Sequence, residues 1–189
     1  SALERSRFEI AFAAREEARG GRHALRFHMP VTCNWLLDAA EMDWLSDAMD
    51  RRQLAGGGFT FELTGAELLD HREALNAPIT RLRAAGVRFG LSDYGRDFAA
   101  VHVLTQLPVD VLRLDGDLLD ATASANSTSP TLIALVRKAH QLGAMVVAPG
   151  MNTLEHAHIY TRLGIDYGVG NAFGPALAQP EFDFNRPLW

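Results

Sequence analysis

The hydrophobic positions of this chain recur in two patterns, which predict two kinds of secondary structure. Residues 3–18 carry apolar side chains at helical spacing, and Gly20 and Gly21 follow them as a stop signal. Short runs such as 144–148 are apolar at nearly every position, which is typical of strands that are buried on both faces. The chain is therefore expected to alternate helices with buried strands.

The alternation extends over most of the chain. Strands are predicted at 24–31, 59–63, 87–92, 109–115, 144–150 and 165–170. Helices are predicted at 3–18, 35–54, 76–86, 97–107, 131–143 and 153–164, with Pro78 in the first turn of the third helix. The polar stretch 121–129 is interpreted as a loop rather than a domain boundary, so residues 1–189 are expected to form a single domain.

Six strands that alternate with helices predict an α/β fold with a parallel sheet. Two architectures have this element order, an open doubly wound sheet and a closed (β/α) barrel. No glycine-rich phosphate-binding turn follows the first strand, which favours the barrel. In such barrels the functional residues collect where the strands end.

Composition narrows the class of protein. The chain has 189 residues, of which 48% are hydrophobic, so it can bury a sizeable core. A formal net charge of -5, with arginines scattered among acids, argues against nucleic-acid binding. No apolar run approaches the roughly 18 residues of a membrane span, and a single cysteine, Cys33, suits a reducing compartment. We therefore expect a cytoplasmic protein that binds neither nucleic acid nor membrane.

Four segments resemble, in order, the motifs of one bacterial family, the EAL-type domains that linearise cyclic di-GMP. The run LSDYGRDFAAVHVLTQLPVDVLRLDGDLL, residues 91–119, is similar to the family segment DDFGTG…L…LPxDxxKID. The run LGAMVVAPGMNTLEHAHIYTRLGIDYGVGNAFG, residues 142–174, is similar to AEGVET…L…LGxDxxQGxxFG. The segment FELTG, residues 61–65, resembles the ExTE strand, and FHMPVTCNWLLD, residues 27–38, resembles the VNLS strand.

The resemblance implies a barrel and a metal-dependent mechanism. In the family, strand-end carboxylates and an asparagine hold two metal ions, which activate water for attack on a phosphodiester. The family barrel has eight strands, and its first strands, with the Glu-Ala-Leu signature, have no counterpart in this sequence. The fold is therefore expected to be TIM-barrel-like but incomplete, with about six parallel strands.

The polar positions of the family are only partly kept. Its acids are retained at Glu62, Asp93 and Asp115. Other residues stand at the remaining positions: Pro30 for asparagine, Gly65 for glutamate, Ser92 for aspartate, Arg113 for lysine, Pro149 and Asn152 for glutamates, and Val169 for glutamine. An incomplete ligand set cannot offset the dehydration of divalent ions, so we expect no catalytic residue, no metal site and no cofactor.

The residues left at the strand ends are candidates for ligand binding: Glu62, Asp93, Arg113 and Asp115. Each acid also has a structural interpretation, as a helix cap or as the partner of an arginine. Arg113 has the geometry to bind a phosphate, but the favoured interpretation pairs it with Asp93 or Asp115. The run GVGNAFG, residues 168–174, is interpreted as a tight turn rather than a phosphate-binding loop.

The sequence therefore predicts a non-catalytic EAL-like signalling module that acts through protein contacts, as a homo-oligomer or with another signalling domain. The alternative is a receptor that binds cyclic di-GMP weakly without cleaving it, and an active phosphodiesterase is the least favoured reading. Six strands do not close an eight-stranded barrel, so an uncovered edge is expected to favour association. We expect a homodimer whose contact includes the 3–18 helix and the strand near residues 25–29.

Overall fold

The computed structural model describes residues 2–18, 26–54, 58–96, 108–119 and 129–175. Its strands are β1 (Phe27–Pro30), β2 (Phe59–Thr64), β3 (Arg88–Tyr94), β4 (Val111–Leu114), β5 (Met145–Ala148) and β6 (Tyr167–Gly168). The helices with assigned bounds in this part of the chain are α1 (Ala2–Glu17), α2 (Cys33–Leu37), α3 (Ala39–Arg51), α4 (Gly65–Ala84), α5 (Pro130–Gln141) and α6 (Leu154–Arg162).

The six strands form one sheet in which their order is the same as their order along the chain. β3 pairs in parallel with β4, β4 with β5, and β5 with β6. In the register, Leu91 lies beside Leu112 and Leu112 beside Val146. The predicted α/β fold is confirmed: parallel strands alternate with helices as in an incomplete TIM-like barrel. None of the described helices is long and apolar enough to cross a membrane.

The predicted helix 35–54 is wrong as a single element. It is divided at Asp38, where α2 ends and α3 begins. The Asp38 carboxylate accepts hydrogen bonds from the backbone N–H groups of Ala40 and Glu41, which makes it an N-cap. Because the Asp38 side chain satisfies the free N–H groups at the start of α3, it stabilises the break between α2 and α3.

The predicted start of the next helix, at residue 76, is also wrong. α4 begins directly after β2, and Pro78 lies inside it rather than in its first turn. The Thr64 hydroxyl accepts from the Glu67 backbone N–H and donates to the Glu67 carboxylate. Thr64 is therefore the N-cap of α4, and the T-x-x-E spacing typical of helix starts is visible in the sequence.

Two predicted elements lie outside the described residues. They are the helix 97–107 and nearly all of the loop 121–129. Ser129, the last residue of that loop, caps α5 through its hydroxyl, which accepts from the Leu132 N–H at 3.4 Å. The strand predicted at 24–31 is described from residue 26 onward, and its hydrogen-bonded part is β1.

The chain divides into two compact units, and the first contains residues 2–18, 26–54, 58–61 and 71–88 of the described chain. Its core is aromatic. The Phe8 ring of α1 lies 4.9 Å from the Trp35 ring and 5.2 Å from the Phe61 ring, measured between centroids. The Phe12 ring lies 5.5 Å from that of Phe59. The inner face of α1 is therefore held by the aromatic side chains of α2 and β2.

A buried acid adds a polar contact to this aromatic core. Glu41 of α3 accepts hydrogen bonds from Arg5 Nε at 2.8 Å and from the indole Nε1 of Trp35 at 3.1 Å. The Arg5 guanidinium also lies 5.1 Å from the centroid of the Trp44 ring. The hydrogen bond from Arg5 is the largest cause that lowers the pKa of Glu41, to about 2 from its ordinary 4.5.

The second unit contains residues 62–70, 89–96, 108–119 and 129–175 of the described chain. Its core consists of strand residues and the inner faces of the helices, and the following side chains are fully or almost fully buried: Leu91, Tyr94, Leu112, Leu114, Leu132, Val146 and Tyr160. All of the candidate ligand-binding residues belong to this unit. The single domain expected for residues 1–189 stays a prediction.

Candidate functional site

Two of the four candidate residues meet in a buried ion pair. Glu62 of β2 accepts two hydrogen bonds from Arg113 of β4, one from Nε and one from Nη2, each 2.9 Å long. The Glu62 side chain is 4% exposed and the Arg113 side chain 23% exposed. Two parallel N–H···O bonds engage both carboxylate oxygens and fix both side chains in one orientation.

The order of the strands explains this contact. β3 lies between β2 and β4 in the sheet, and in parallel barrels the side chains of alternate strands meet in layers. Arg113 is the polar residue of an otherwise apolar strand, VLRL. The pairing of Arg113 with Asp93 or Asp115, expected from the sequence, is therefore wrong. Glu62 offers a carboxylate on the same face of the sheet, where both oxygens reach the guanidinium.

Ser92 and Asp93, near the end of β3, have different surroundings. The Ser92 hydroxyl donates to the backbone carbonyl of Leu63 at 3.3 Å, so it ties β3 to β2. Asp93 is exposed and has a φ of 56°, in the left-handed region that aspartate tolerates better than most residues. Among the described residues, Asp93 takes no part in the Glu62–Arg113 ion pair.

Tyr94 follows Asp93 and is completely buried. Burial raises the pKa of its phenol above the ordinary value of 10.0. Its backbone carbonyl accepts from the Asp115 N–H at 2.9 Å, which continues the pairing of β3 with the end of β4. Tyr94 is thus an anchor for the strand end that carries Asp93.

Asp115 has a structural role at the end of β4. Its carboxylate accepts from the backbone N–H groups of Asp117 and Leu118, at the start of a helical turn over residues 116–119. It also forms an ion pair with Arg96, whose Nε lies 3.1 Å from Oδ2. A helix cap and an arginine partner are the two structural interpretations given for the strand-end acids, and Asp115 has both.

The loops after β5 and β6 are fastened to each other. The backbone N–H of Met151 donates to the Val169 carbonyl, and its carbonyl accepts from the Ala172 N–H, both at 3.0 Å. The Asn152 side chain accepts from the Asn171 N–H at 3.3 Å. A Cβ on Gly170 would lie 2.3 Å from the Met151 carbonyl oxygen, so the close approach requires glycine.

These loops carry three of the positions where the family keeps polar residues. Pro149 is partly buried at the end of β5, and Asn152 is used for the contact between the loops. Val169 is 49% exposed. Residues 171–173 form a 3-10 turn, as predicted for the run 168–174.

Several polar residues with a defined role were missed by the sequence analysis. Asp110 and Asp166 precede β4 and β6, and each bonds to the beginning of the preceding strand. The Asp110 carboxylate accepts from the Phe89 N–H at 2.9 Å, and the Asp166 carboxylate accepts from the Val146 N–H at 2.7 Å. In return, the backbone N–H of each aspartate donates to the carbonyl of the same residue. Each aspartate lies directly before a strand in the sequence. This shared pattern could have indicated their common role.

The donors at the strand ends form no recognisable metal cluster. Within the described ranges there is no group of three or more histidine, cysteine, aspartate or glutamate side chains with the geometry to hold a metal ion. The Glu62 oxygens face Arg113, and Asp115 faces Arg96 and two backbone N–H groups. These acids therefore form ion pairs with arginines, and they hold the ends of the strands in place.

Comparison with known sequences gives one family. The sequence profile described as the EAL domain matches residues 1–176. An uncharacterised protein of Azorhizobium caulinodans is 33% identical over 118 residues, which are 62% of this chain and 16% of that protein. A probable cyclic di-GMP phosphodiesterase of Escherichia coli, PdeB, is 31% identical over 139 residues, which are 73% of this chain and 26% of that protein. The chain therefore spans about a quarter or less of the length of these relatives.

Comparison with solved structures gives the same fold. The FimX EAL domain of Xanthomonas citri, solved with c-diGMP, has a TM-score of 0.82 at 16% identity, over 97% of this chain and 71% of that one. The FimX EAL domain of Pseudomonas aeruginosa, bound to c-di-GMP, has a TM-score of 0.81 at 16% identity, over 97% and 73%. The phosphodiesterase PaMucR, in a c-di-GMP complex, has a TM-score of 0.79 at 21% identity, over 92% and 72%.

Proposed function

Because this chain belongs to the EAL domain family, we propose that it is a signalling module of that family which has lost turnover and acts through protein contacts. Family membership relates it to cyclic di-GMP phosphodiesterases. The observation that carries the proposal is the bidentate bond of Arg113 to Glu62, the acid retained at the first glutamate of the ExTE motif. A carboxylate whose two oxygens already bind a guanidinium is a poor metal ligand.

The donor set does not fit two divalent ions. A metal at Glu62 would have to displace both hydrogen bonds and lie beside the positive charge of Arg113, at a cost that rises with burial. Two of the neighbouring family positions offer no replacement, since Ser92 bonds to a backbone carbonyl and Pro149 has no ligand atom in its side chain, so Asp93 alone would remain. Hard divalent cations require several oxygen ligands each. We therefore infer no metal-assisted hydrolysis by this chain.

A hydrolysis assay tests the loss of turnover. Purified protein is incubated with cyclic di-GMP in magnesium and in manganese, beside an active member of the family as the positive control. We expect no linear product. The variants Arg113→Lys and Pro149→Glu, which each restore one family residue, are also expected to be inactive because the other positions stay changed. Turnover by the wild-type protein above the buffer blank would overturn the proposal.

Protein contacts are the mode of action that we propose in place of catalysis, either with a second copy or with another signalling domain. The side chains of Leu3 and Ile10 support this mode, because they are 72% and 58% exposed on α1. Large apolar side chains at such exposure favour an interaction when they lie on one face. The cytoplasmic location stays a prediction.

A second candidate function is a receptor that binds cyclic di-GMP and does not cleave it. The observation that favours it is that two of the solved domains with this fold, both from FimX, were determined with this ligand bound. In this chain the receptor would have to use Asp93, which is exposed, together with the Glu62–Arg113 pair and Asp115. The two candidates differ in ligand affinity, which calorimetry measures directly.

A further inference from the structure

The buried acid Glu62 requires a positive charge beside it, and Arg113 supplies one that belongs to the chain itself. The Glu62 side chain is 4% exposed, and a carboxylate at such burial is stable only when a cation and hydrogen-bond donors replace its water. The Arg113 guanidinium provides both, through two bonds of 2.9 Å. Because this cation is covalently attached, its contribution does not depend on the concentration of any ion, whereas the contribution of a bound metal ion would.

The Arg113 side chain reaches Glu62 by crossing β3. The strands β2 and β4 flank β3, so their backbones lie about 10 Å apart, twice the usual spacing of strands. Glu62 and Arg113 can meet across this gap only if β3 presents small side chains toward them. In the register, Gly90 of β3 is the partner of Val111, which lies on the same face of β4 as Arg113 because side chains two residues apart on a strand share a face.

Ser92 is the second small residue on this face of β3, since it follows Gly90 by two residues. Its hydroxyl is turned aside to the backbone carbonyl of Leu63, at 3.3 Å. The serine side chain is also neutral, so it adds no charge for Arg113 to balance. An aspartate at this position would place a second negative charge beside Glu62, and one guanidinium balances one carboxylate.

We propose that the Arg113 guanidinium is the resident cation of these strand ends, in the place that a metal ion would have beside Glu62, and that Ser92 is the positioning residue that lets it cross β3. This inference rests on the proposed loss of turnover and states what has replaced the metal. The strand ends therefore need no divalent ion for their stability. When Arg113 is removed, the space beside Glu62 accepts a free guanidinium ion.

Thermal unfolding followed by circular dichroism tests the resident cation. The midpoint temperature of unfolding, Tm, of the wild type is expected to be the same in EDTA, in manganese chloride and in sodium chloride of equal ionic strength. The Tm of Arg113→Ala in EDTA is expected to be lower than that of the wild type. Guanidinium chloride at about 10 mM is expected to raise it by about 3–6 °C relative to sodium chloride, for a dissociation constant on the order of 1 mM.

The matched control is Arg96→Ala. Asp115 keeps its hydrogen bonds to two backbone N–H groups when Arg96 is removed, so the Tm of this variant is expected to respond equally to guanidinium and to sodium. A wild type that is more stable in manganese than in EDTA would rule the resident cation out, and this measurement does not depend on the folding of Arg113→Ala. A folded Arg113→Ala that responds to guanidinium no more than Arg96→Ala does would rule it out as well.

NMR of the arginine side chains tests the positioning role of Ser92. A buried guanidinium that is held by two hydrogen bonds is expected to give a sharp Nε–H signal that exchanges slowly with water. The signal of Arg113, assigned by its loss in Arg113→Lys, is expected in the wild type in EDTA. It is also expected in Ser92→Ala, which loses the hydroxyl but keeps the space over β3. In Ser92→Leu the larger side chain fills this space, so the signal is expected to disappear.

The backbone amide spectrum of β5 and β6 shows in each variant whether the rest of the sheet is folded. An Arg113 signal that persists in Ser92→Leu would mean that the size of residue 92 does not control the crossing. A signal that is already lost in Ser92→Ala would mean that the hydroxyl matters rather than the space. Either result contradicts the positioning role.

The resident cation and the loss of turnover fail separately. A wild type that manganese stabilises but that leaves cyclic di-GMP intact contradicts only the resident cation. A wild type that hydrolyses cyclic di-GMP while its Tm is unchanged by manganese contradicts only the loss of turnover.

Discussion

At the scale of single residues, the buried bond between Arg113 and Glu62 is the contact whose loss has the largest expected effect. Arg113→Ala removes two charge-assisted hydrogen bonds from a carboxylate that is 4% exposed. We expect the free energy of unfolding to fall by about 2–4 kcal/mol, because breaking one side of a buried ion pair leaves a poorly solvated charge. Urea unfolding followed by circular dichroism measures this change.

The matched control is Arg96→Ala. It removes an arginine that is 64% exposed from Asp115, which keeps its bonds to two backbone N–H groups. The expected loss is below about 1 kcal/mol, as for other exposed ion pairs. Replacing both members of the buried pair, with Glu62→Leu and Arg113→Met, is expected to recover part of the stability that Arg113→Ala loses. An equal loss in the two arginine variants would show that the buried pair is not the stabilising one.

The residues of this pair could be found from the sequence, but their contact could not. Glu62 and Arg113 both fell at predicted strand ends, which is why they became candidates. Asp93 and Asp115 lay closer to Arg113 in sequence and in predicted strand order. Which acid an arginine selects depends on the face toward which each side chain points, and Asp93 adopts a left-handed backbone conformation that the sequence does not reveal.

At the scale of the elements, Glu41 links α1 to α3 through Arg5 and to α2 through Trp35. Its pKa is about 2 in the folded protein and 4.5 ordinarily, so folding favours the charged form. The stabilising contribution is fully present above pH 4.5 and is lost as the pH falls toward 2. We expect the wild type to lose more stability than Glu41→Gln over this range, as measured by urea unfolding at fixed pH steps.

Tryptophan fluorescence adds a local measurement, since Trp35 donates directly to Glu41. The control is Asp43→Asn, because Asp43 pairs with Arg81 on the surface and its side chain is 68% exposed. Its stability profile is expected to run parallel to that of the wild type. If the free energy of unfolding depended on pH in the same way for Glu41→Gln and the wild type, ionisation of Glu41 beside Arg5 would not contribute to stability.

The elements themselves were predicted with uneven success, for physical reasons. The strands were found because their apolar runs are continuous, and their described parts begin or end within a few residues of the predicted bounds. The boundaries of α3 and α4 were missed because each depends on one polar side chain, Asp38 or Thr64, that satisfies the first N–H groups of a helix. Both capping residues are visible in the sequence. The helix boundaries were predicted from the spacing of apolar residues, which does not take account of caps.

At the scale of the whole molecule, the proposed loss of metal ligands predicts how cyclic di-GMP binds. We expect a dissociation constant weaker than about 1 µM by isothermal titration calorimetry. Adding magnesium or manganese should leave it unchanged, because Arg113 engages the retained Glu62 carboxylate. Affinity tighter than this, or affinity that rises with metal, would favour the receptor or the enzyme over the module that we propose.

Asp110 and Asp166 also bear on how such a protein can be recombined. Each aspartate is hydrogen-bonded, through its side chain and its backbone, to the second residue of the strand before it, Phe89 in β3 or Val146 in β5. The stretches 89–110 and 146–166 therefore each contain both residues of one such contact. In a chimera whose crossover point lies just after one of these aspartates, the aspartate and the strand residue that it binds come from the same parent. A crossover point just before the aspartate takes the two residues from different parents.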